Sequence, residues 1–522
     1  MNHLYEMIKG DYLQRSRSYA FLITLAVTIY AAYTFVPTPE AAYTTLTIPG
    51  YKGAYNSAWV GHVTALMSTV ILSLCGFFLV NNGIKKDIET EVGLIIATTP
   101  ISNLGYLLMK FLSNLLLLLT IAFVALLVSI MMFFIQRHGY AFHLADFLLP
   151  YLFMLVPTMV LLSGCAIMAE VFLNGKSVLQ CIIYFFIFIA FIVKLGGGSK
   201  DLGAAVADGF GMREIVNSIL YQVNTQFNEN IKGFSIGYAT NAGGTFKIFV
   251  WNGVHWSGNY LLSRVIWIMI SMGMVYLSSL FFHRFDFKQT SKSKRSEQRV
   301  FTSPITTTYS GFNKSILPVI APAYGIFPLI KTELLLMLRK DNKWLWVVNI
   351  GLWVAMLFVP IHQSYFFLLP ILLFLQVNRI SDLSTRESTY RLHYFTYAAY
   401  KPLQRILPSQ IIAGLLLLMG LSIPVICRLL IDSEYLSALQ VINGALMVIL
   451  FSVCLGIVNG SKKLFEILFF MFTYVVLQTP KIHYLGAVAA QERLGIFITV
   501  LGINILLLLS SFLVRSRQIR HL

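Results

Sequence analysis

Charged residues are scarce in this sequence. They make up 12% of its 522 residues, while hydrophobic residues make up 57%, and a soluble globular protein carries about 25% charged residues. So few charges cannot cover a water-exposed surface, which excludes a soluble protein. The formal charge of +17 is the usual sign of a nucleic-acid partner. Here, however, the basic residues lie between hydrophobic runs, so we expect no nucleic acid as a partner.

The sequence also lacks the motifs of the common enzymes. A phosphate-binding loop needs G-x-x-x-x-G-K-[ST], and the nearest match, Gly175-Lys176-Ser177, has Glu170 in place of the first glycine. There is no HExxH motif of a zinc protease. The five cysteines have no CxxC spacing and fall inside apolar runs, which excludes a typical zinc site or disulfide scaffold. We therefore expect no catalytic residue, no metal site and no cofactor bound by this chain.

Long apolar runs are what the sequence does contain. A helix needs about 20 residues to cross the hydrocarbon core, and runs such as 115–134 lack the alternation of a membrane barrel strand. The sequence therefore predicts an all-α polytopic membrane protein with about twelve transmembrane helices, in contact with membrane lipid. The predicted spans are 19–36, 59–80, 106–135, 147–173, 178–193, 260–282, 344–361, 365–377, 409–431, 436–458, 464–477 and 494–514.

The distribution of basic residues predicts the orientation. Cytoplasmic loops of membrane proteins carry an excess of Lys and Arg, and every second connection between the predicted spans is rich in them. These residues include Lys9, Arg15 and Arg17 at the N-terminus, Lys85, Lys86 and Lys110 after the second span, and Arg515, Arg517 and Arg520 at the C-terminus. Both termini are therefore predicted to be cytoplasmic.

The layout of the predicted spans is repeated once along the chain. Residues 1–287 form a first six-helix half and residues 323–522 a second, and each half opens with an amphipathic segment, 4–14 or 327–338. The stretch 288–322 is a basic, Ser- and Thr-rich cytoplasmic linker. One insertion, 196–259, breaks the symmetry, because it is too polar to span the membrane. We expect it to form a small extracytoplasmic cap.

The connection 82–103 reads NGIKKDIETEVGLIIATTPISN and lies on the predicted cytoplasmic side. Asp87, Glu89 and Glu91 are suited to the first turn of a short helix, where acidic side chains complement the exposed N–H groups. Pro100 then ends that helix. A short helix between two long ones would transmit the push of a motor. The alternative is an ordinary loop whose acids balance Lys85 and Lys86.

The stretches IKKDIETEVGLIIATTPIS and YLLMKFLSN resemble the coupling-helix region of ABC-2 type permeases, and segment 4–14 resembles their interfacial elbow helix. The resemblance implies a permease subunit in the bacterial plasma (inner) membrane. A separate cytoplasmic ATPase, in two copies, would bind the ATP and Mg and power export. In the second half, stretch 381–387 is a weaker match and lacks TPIS. The implied ATPase-coupling residues are Lys86, Asp87, Glu89, Thr90, Glu91, Thr99 and Pro100, with Asp382, Arg386 and Glu387 in the second half.

Ionisable residues are rare within the predicted spans, where they usually mark ion pathways. Glu466 follows Lys462 by four residues, which favours a pair on one helix face, and Glu170 is expected to pair with Lys176. A lack of acids at mid-membrane suits an ATP-driven cycle and an apolar or amphipathic substrate. Four amides are expected either to line a substrate pathway or to bond neighbouring helices together. They are Asn114, Gln180, Asn349 and Asn443.

Two other functions fit parts of the sequence. A major-facilitator-like secondary carrier also has six plus six helices and a basic central linker. Such carriers have a characteristic motif in the loop after the second helix. This chain matches that motif at Gly83 and Asp87, whereas its residues at positions 88 and 90–92 do not fit. A membrane scaffold or sensor has no specific support in the residues.

Overall fold

The computed structural model describes residues 2–38, 43–136, 139–173, 177–193, 202–231, 233–240, 246–282, 325–340, 343–460, 462–478, 485 and 493–520. Helices make up most of this part of the chain. The first twelve are α1 Asn2–Ser16, α2 Tyr19–Thr34, α3 Ser57–Val80, α4 Gly83–Glu89, α5 Val92–Ala97, α6 Asn103–Gln136, α7 Leu144–Pro150, α8 Val156–Phe172, α9 Ser177–Val193, α10 Leu202–Ala207, α11 Arg213–Phe227 and α12 Gly258–Phe281.

Eleven more described helices follow the predicted linker 288–322, which itself lies outside the described residues. They are α13 Phe327–Arg339, α14 Lys343–Phe358, α15 Ile361–Gln363, α16 Leu369–Leu375, α17 Val377–Ile380, α18 Arg386–Thr389, α19 His393–Tyr397, α20 Pro402–Ile431, α21 Tyr435–Asn459, α22 Lys463–Gln478 and α23 Arg493–Arg520. Single π-helical turns, Tyr151–Leu155 and Ser364–Leu368, join α7 to α8 and α15 to α16.

Seven helical stretches in the described ranges are long and apolar enough to cross a membrane. The shortest has 24 residues, which at 1.5 Å per residue gives about 36 Å, more than the hydrocarbon thickness of about 30 Å. The chain is therefore a mainly helical membrane protein. The seven stretches are Ser57–Ile88, Asn103–Gln136, Leu144–Phe172, Gly258–Phe281, Pro402–Ile431, Tyr435–Asn459 and Arg493–Arg520.

The other five predicted spans are helical but shorter. They correspond to α2, α9, α14, the stretch Ile361–Leu375 and α22, none of which exceeds 17 residues. Helices of this length cross a membrane only where the bilayer thins or neighbouring residues extend them. Twelve crossings in two six-helix halves therefore remain a prediction.

α3 lies at the centre of the bundle and is enclosed by α6, α7, α8 and α22. Its small polar residues face these neighbours: Thr64 shares a hydrogen bond of 2.7 Å with Ser129, and Ser68 one of 3.2 Å with Tyr151. At Gly76 the side chains of Leu118 and Leu162 approach the helix backbone. Small residues and interhelical hydrogen bonds of this kind hold helices together in lipid, where burial of apolar surface gives little net attraction.

A small mixed unit lies at the N-terminal end of α3. Strand β1 (Tyr43–Thr47) pairs antiparallel with β3 (Ser235–Thr240), and β2 (Tyr51–Gly53) pairs parallel with β4 (Lys247–Phe249). The segment predicted as a cap, 196–259, thus folds together with residues 43–56, which lie between the first two predicted spans. Residues 196–201, 232 and 241–245 lie outside the described ranges.

Asn56 joins this cap to the membrane helices. Its side chain accepts a hydrogen bond of 2.9 Å from the N–H of Trp59, which caps α3, and donates one of 2.6 Å to the carbonyl of Trp251. The indole ring of Trp59 packs edge-on against the phenyl ring of Phe249 and the indole ring of Trp251. The cap and the short helices α4 and α5 therefore lie at opposite ends of α3, a helix of 24 residues.

Gly61 tests the close contact between α3 and α7. A Cβ atom at this position would overlap the backbone carbonyl oxygen of Asp146. We expect Gly61→Ala to lower the stability by about 1–3 kcal/mol through overpacking, measured as thermal unfolding in detergent. Gly273→Ala is the matched control, because nothing lies within 4 Å of a Cβ atom there. Equal unfolding temperatures for the two variants would contradict the contact.

Candidate functional site

The chain bends sharply between α3 and α4. Asn82 has a left-handed backbone conformation with φ of 69°, so the new helix begins with N–H groups that have no partner within it. The buried carboxylate of Glu170, at the end of α8, accepts them. Its two oxygens lie 2.9 Å from the nitrogen of Gly83, 2.7 Å from that of Ile84 and 3.3 Å from that of Lys85. The carboxylate also complements the positive end of the helix dipole.

This arrangement corrects one expectation from the sequence. Asp87 and Glu89 do not open a short helix, because they lie in the second half of α4, which begins at Gly83. Glu91 directly precedes α5, but its side chain makes no capping hydrogen bond. The acid at the start of α4 is Glu170, which is 87 positions away from Gly83 in the chain. Its expected partner, Lys176, lies outside the described residues, as does the side chain of Glu89. The expected pair of Glu466 with Lys462 is present at 3.9 Å.

Lys110 holds the short helix against its neighbours. Its side chain is 3% exposed, and its ammonium nitrogen lies 2.8 Å from a carboxylate oxygen of Asp87 in α4 and 2.7 Å from one of Asp11 in α1. The hydroxyl of Tyr106 donates a second bond of 2.7 Å to Asp87. A buried lysine between two carboxylates is satisfied only if both carboxylates stay in place. Lys110 therefore ties α1, α4 and α6 together.

Asp11 extends the same cluster along α1. It accepts a hydrogen bond of 2.5 Å from Ser113 and pairs with Arg15 at 3.0 Å, and Arg15 donates a bond of 2.6 Å to Asn114. Burial raises the pKa of Asp11, but the charges of Arg15 and Lys110 outweigh it, so the pKa lies below the ordinary value. We define the Lys110 cluster as Asp11, Arg15, Asp87, Tyr106, Lys110, Ser113 and Asn114.

α4 and α5 have one buried and one exposed face. Ile84 and Ile96 are buried beside Tyr106 and Leu107, which anchors the two helices to α6. The exposed face is a mixture of aliphatic, polar and charged side chains, and Ile95 is 68% exposed. Of the other predicted coupling residues, Pro100 is exposed and Thr99 half-buried. We define the α4–α5 surface as Lys86, Ile88, Thr90, Glu91, Val92 and Ile95.

The coupling residues predicted in the second half lie within an ion-pair network. Arg386 contacts Glu333 of α13 at 3.1 Å and Asp382 at 3.3 Å, and Asp382 also contacts Lys340 at 2.7 Å. We name these four residues the Arg386 cluster. It links α18 to the amphipathic helix α13. Burial raises the pKa of Glu333 above its ordinary value, although Arg386 opposes the effect.

Glu387 is buried on the other side of α18. It lies 3.1 Å from the guanidinium of Arg515 in α23 and accepts a bond of 3.1 Å from Gln410 in α20. Burial raises the pKa of Glu387, with Arg515 opposing. The side chains of Asp382, Arg386 and Glu387 therefore face other parts of the protein. The exposed residues of this segment begin at Ser388.

The four amides predicted as possible pathway residues are all buried, and none of them bonds another. Each makes an interhelical hydrogen bond, as the alternative interpretation expected. Asn114 bonds Arg15 (2.6 Å), Gln180 bonds Asn81 (2.9 Å), Asn349 bonds Gln376 (3.0 Å) and Asn443 bonds Asn504 (2.8 Å).

Sequence reasoning missed Asp11 and did not assign Lys110 or Glu170 to this site. One signal was present: Lys110 lies inside a long apolar helix, and a charge in that position requires a partner. It also missed Lys463, which donates a bond of 3.2 Å from α22 to the carbonyl of Asn81 at the end of α3. No local sequence pattern predicts a contact between residues so far apart in the chain.

No protein-family model, curated protein or solved structure matches this chain. Within the described ranges, no group of three or more His, Cys, Asp or Glu side chains is arranged to hold a metal ion. The functional interpretation therefore depends on the geometry of the two ion clusters and the α4–α5 surface.

Lys110→Met tests the cluster. The substitution leaves the buried carboxylates of Asp11 and Asp87 without their shared cation, and losing one partner of a buried pair costs about 3–5 kcal/mol. We expect a clear drop in thermal unfolding temperature in detergent. Lys86→Met removes an exposed lysine of α4 and serves as the control. The cluster would be unnecessary for stability if both variants unfolded at the same temperature.

The pKa shifts predict opposite pH dependences for two acids. The pKa of Asp11 is lowered, so its stabilising contribution is present above its ordinary value of 3.8 and is lost as the pH falls through the folded value. The pKa of Glu387 is raised, so its contribution is fully present below 4.5 and is lost as the pH rises through the folded value. Unfolding temperatures of wild type, Asp11→Asn and Glu387→Gln across this range provide the measurement. Identical pH profiles for the two variants would refute the assignment.

Proposed function

We propose that this chain is the membrane-spanning permease of an ATP-driven exporter of the ABC-2 type, powered by a separate cytoplasmic ATPase. The observation that carries the proposal is the α4–α5 surface, which is exposed and yet tied to the transmembrane helices by buried charges. The ATP and Mg would be bound by that partner, in two copies per permease. The location would be a bacterial plasma membrane, with both termini cytoplasmic.

The contacts around α4 and α5 suit a mechanical linkage. A force on the exposed surface would reach α8 through Glu170, and α1 and α6 through Lys110. These contacts are charge-assisted hydrogen bonds of 2.7–2.9 Å at Ile84, Gly83, Asp11 and Asp87, about twice as strong as neutral ones. The short helices would therefore move together with these three helices instead of bending alone.

Equivalent packing in the two parts of the chain supports two six-helix halves with twelve crossings. α1 and α2 pack against α6, as α13 and α14 pack against α20. α8 packs along α12, as α21 packs along α23. α1 and α13 each also form an ion pair with the short helices that follow, through the buried Lys110 in one half and directly from Glu333 to the half-buried Arg386 in the other. Two such halves would present one motor-facing segment to each ATPase copy.

An apolar pocket supports an apolar or amphipathic substrate. It has a volume of about 40 Å³ and lies between α2, α3, α6 and α22. Val27, Leu72, Ile121 and Leu464 line it, and Thr28 contributes a hydroxyl that is already bonded to the carbonyl of Thr24 at 2.8 Å. A strongly hydrated solute would lose its water here without gaining partners. A hydrocarbon chain or apolar ring fits this lining.

Charge substitutions on the α4–α5 surface test the proposal. The proposal expects a soluble ATPase to be encoded beside this chain. We expect Val92→Asp with Ile95→Asp to weaken association with that ATPase at least tenfold, because a contact in the centre of an interface contributes about 2 kcal/mol or more. Co-purification and permease-stimulated ATP hydrolysis in lipid nanodiscs provide the measurements. The fold should be unaffected, since both side chains are exposed.

Tyr221→Asp is the control, because Tyr221 is 71% exposed in the cap at the opposite end of the helices. It should leave association unchanged. Two results would overturn the proposal: no ATPase retained by the wild type, or gradient-driven transport in vesicles that contain this chain and no nucleotide. The second result would favour a secondary carrier.

A further inference from the structure

α23 has two different faces. Val500, Asn504, Ser511 and Arg515 are buried at spacings of three to four residues or their multiples, which places them on one side of the helix. The opposite side carries leucines followed by arginines, also at spacings of three or four, and all are exposed. They are Leu506, Leu509, Leu513, Arg517 and Arg520.

The exposed face of α23 marks the boundary of the hydrocarbon. α23 is the least enclosed of the seven crossing stretches, so its leucines face lipid. Along this exposed side, the residue type changes from leucine at position 513 to arginine at position 517, within about one helical turn. Arginine at such a position extends its guanidinium to the phosphate level. The level of Arg517 and Arg520 is therefore that of the lipid headgroups.

Segment 390–401 is held at the same level. The guanidinium of Arg515 lies 5.0 Å from the ring centroid of Tyr397 and also donates a hydrogen bond to its hydroxyl. It donates a further bond of 3.3 Å to the carbonyl of Ser384. α19, within this segment, packs against the first turns of α20. The segment therefore lies beside the last turns of α23.

This segment exposes an unusual number of aromatic rings. Phe395 is 79% exposed, Tyr390 69%, Tyr394 61% and Tyr400 58%. Aromatic rings of this kind are favourable at the membrane interface, where one edge is apolar and the other is wet. In water they would form an apolar patch without a partner.

The charge beside these rings has one sign. Arg391 and Lys401 are exposed, and the sequence contains no Asp or Glu between residues 388 and 431 or between 494 and 522. The nearest acid, Glu387, is buried against Arg515. Clusters of Lys and Arg at the membrane surface attract anionic lipids.

We propose that an aromatic–basic surface binds the headgroups of anionic phospholipids in the adjacent leaflet. It consists of Tyr390, Arg391, Tyr394, Phe395, Lys401, Arg517 and Arg520. The phosphate contacts the arginines and the lysine, the rings lie among the headgroups, and the acyl chains follow Leu506, Leu509 and Leu513. This site does not depend on the proposed transport function.

A lipid fits this surface better than a protein partner. Its rings lie at the level where the lipid-facing side of α23 changes from leucine to arginine, whereas the α4–α5 surface contains both Lys86 and Glu91 and no aromatic ring.

The test compares lipid retention by the purified full chain in detergent. The probes are phosphatidylglycerol and phosphatidylcholine with identical acyl chains, and native mass spectrometry counts the bound lipids. We expect the wild type to retain phosphatidylglycerol preferentially. Arg391→Gln with Lys401→Gln, and separately Arg517→Gln with Arg520→Gln, should each weaken that preference about 25-fold, from about fivefold per basic residue. Lys52→Gln with Lys247→Gln removes the same charge in the cap, at the opposite end of α3, and should have little effect.

Two further measurements separate the alternatives. Tyr394→Ser with Phe395→Ser should reduce retention of both lipids without changing the preference, and inorganic phosphate at equal concentration should not displace the lipid, because it lacks acyl chains. Equal retention of the two lipids by the wild type, or an equal loss in the Lys52 and Lys247 control, would overturn the proposal. Unchanged lipid retention in the basic pairs together with loss of a soluble protein partner would identify a protein-docking surface instead.

Discussion

The constraint on which this structure depends is that peptide N–H groups cannot remain unpaired where water is excluded. The left-handed turn at Asn82 interrupts a long buried helix and frees the N–H groups of Gly83, Ile84 and Lys85. One carboxylate, Glu170, satisfies all three. That contact fixes where α4 lies relative to α8. The exposed surface of α4 and α5 follows from it, because the anchored face of these helices determines which face is left open.

Buried charges serve as cross-links in this protein. Lys110 joins two carboxylates from different helices, Arg386 joins two more, and Glu387 pairs with Arg515. The acids of these clusters lie in α1, α4, α13, α18 and the segment before α18, and the four amides are occupied by interhelical bonds. An arrangement of this kind resists relative sliding of the helices. Within the described residues, these clusters do not form a chain of titratable groups from one end of the helices to the other.

The sequence predicted local features well and distant contacts poorly. The predicted span 106–135 agrees with α6, Asn103–Gln136, to within three residues at either end, because hydropathy is a local property. Lys110 and Asp11 are 99 positions apart in the chain, and helical periodicity says nothing about which helices are neighbours. The same limit explains the error at Asp87. The sequence suggested that this nearby acid stands at the start of the short helix, whereas the acid that does so is Glu170, which belongs to another helix. The short helices Ile361–Leu375 and α22 leave the number of crossings open, since their lengths fall below the usual threshold.

The bond from Lys463 to the carbonyl of Asn81 has a consequence for biogenesis. The two residues are 382 positions apart, so at roughly 5–20 residues per second the ribosome needs about 20 to 80 s to supply the second after the first. During that interval the bend at Asn82 is already in the translocation machinery but lacks one of its hydrogen bonds. α3 and α4 therefore lack this bond until Lys463 has been synthesised. Membrane-insertion factors can act on these helices during that interval.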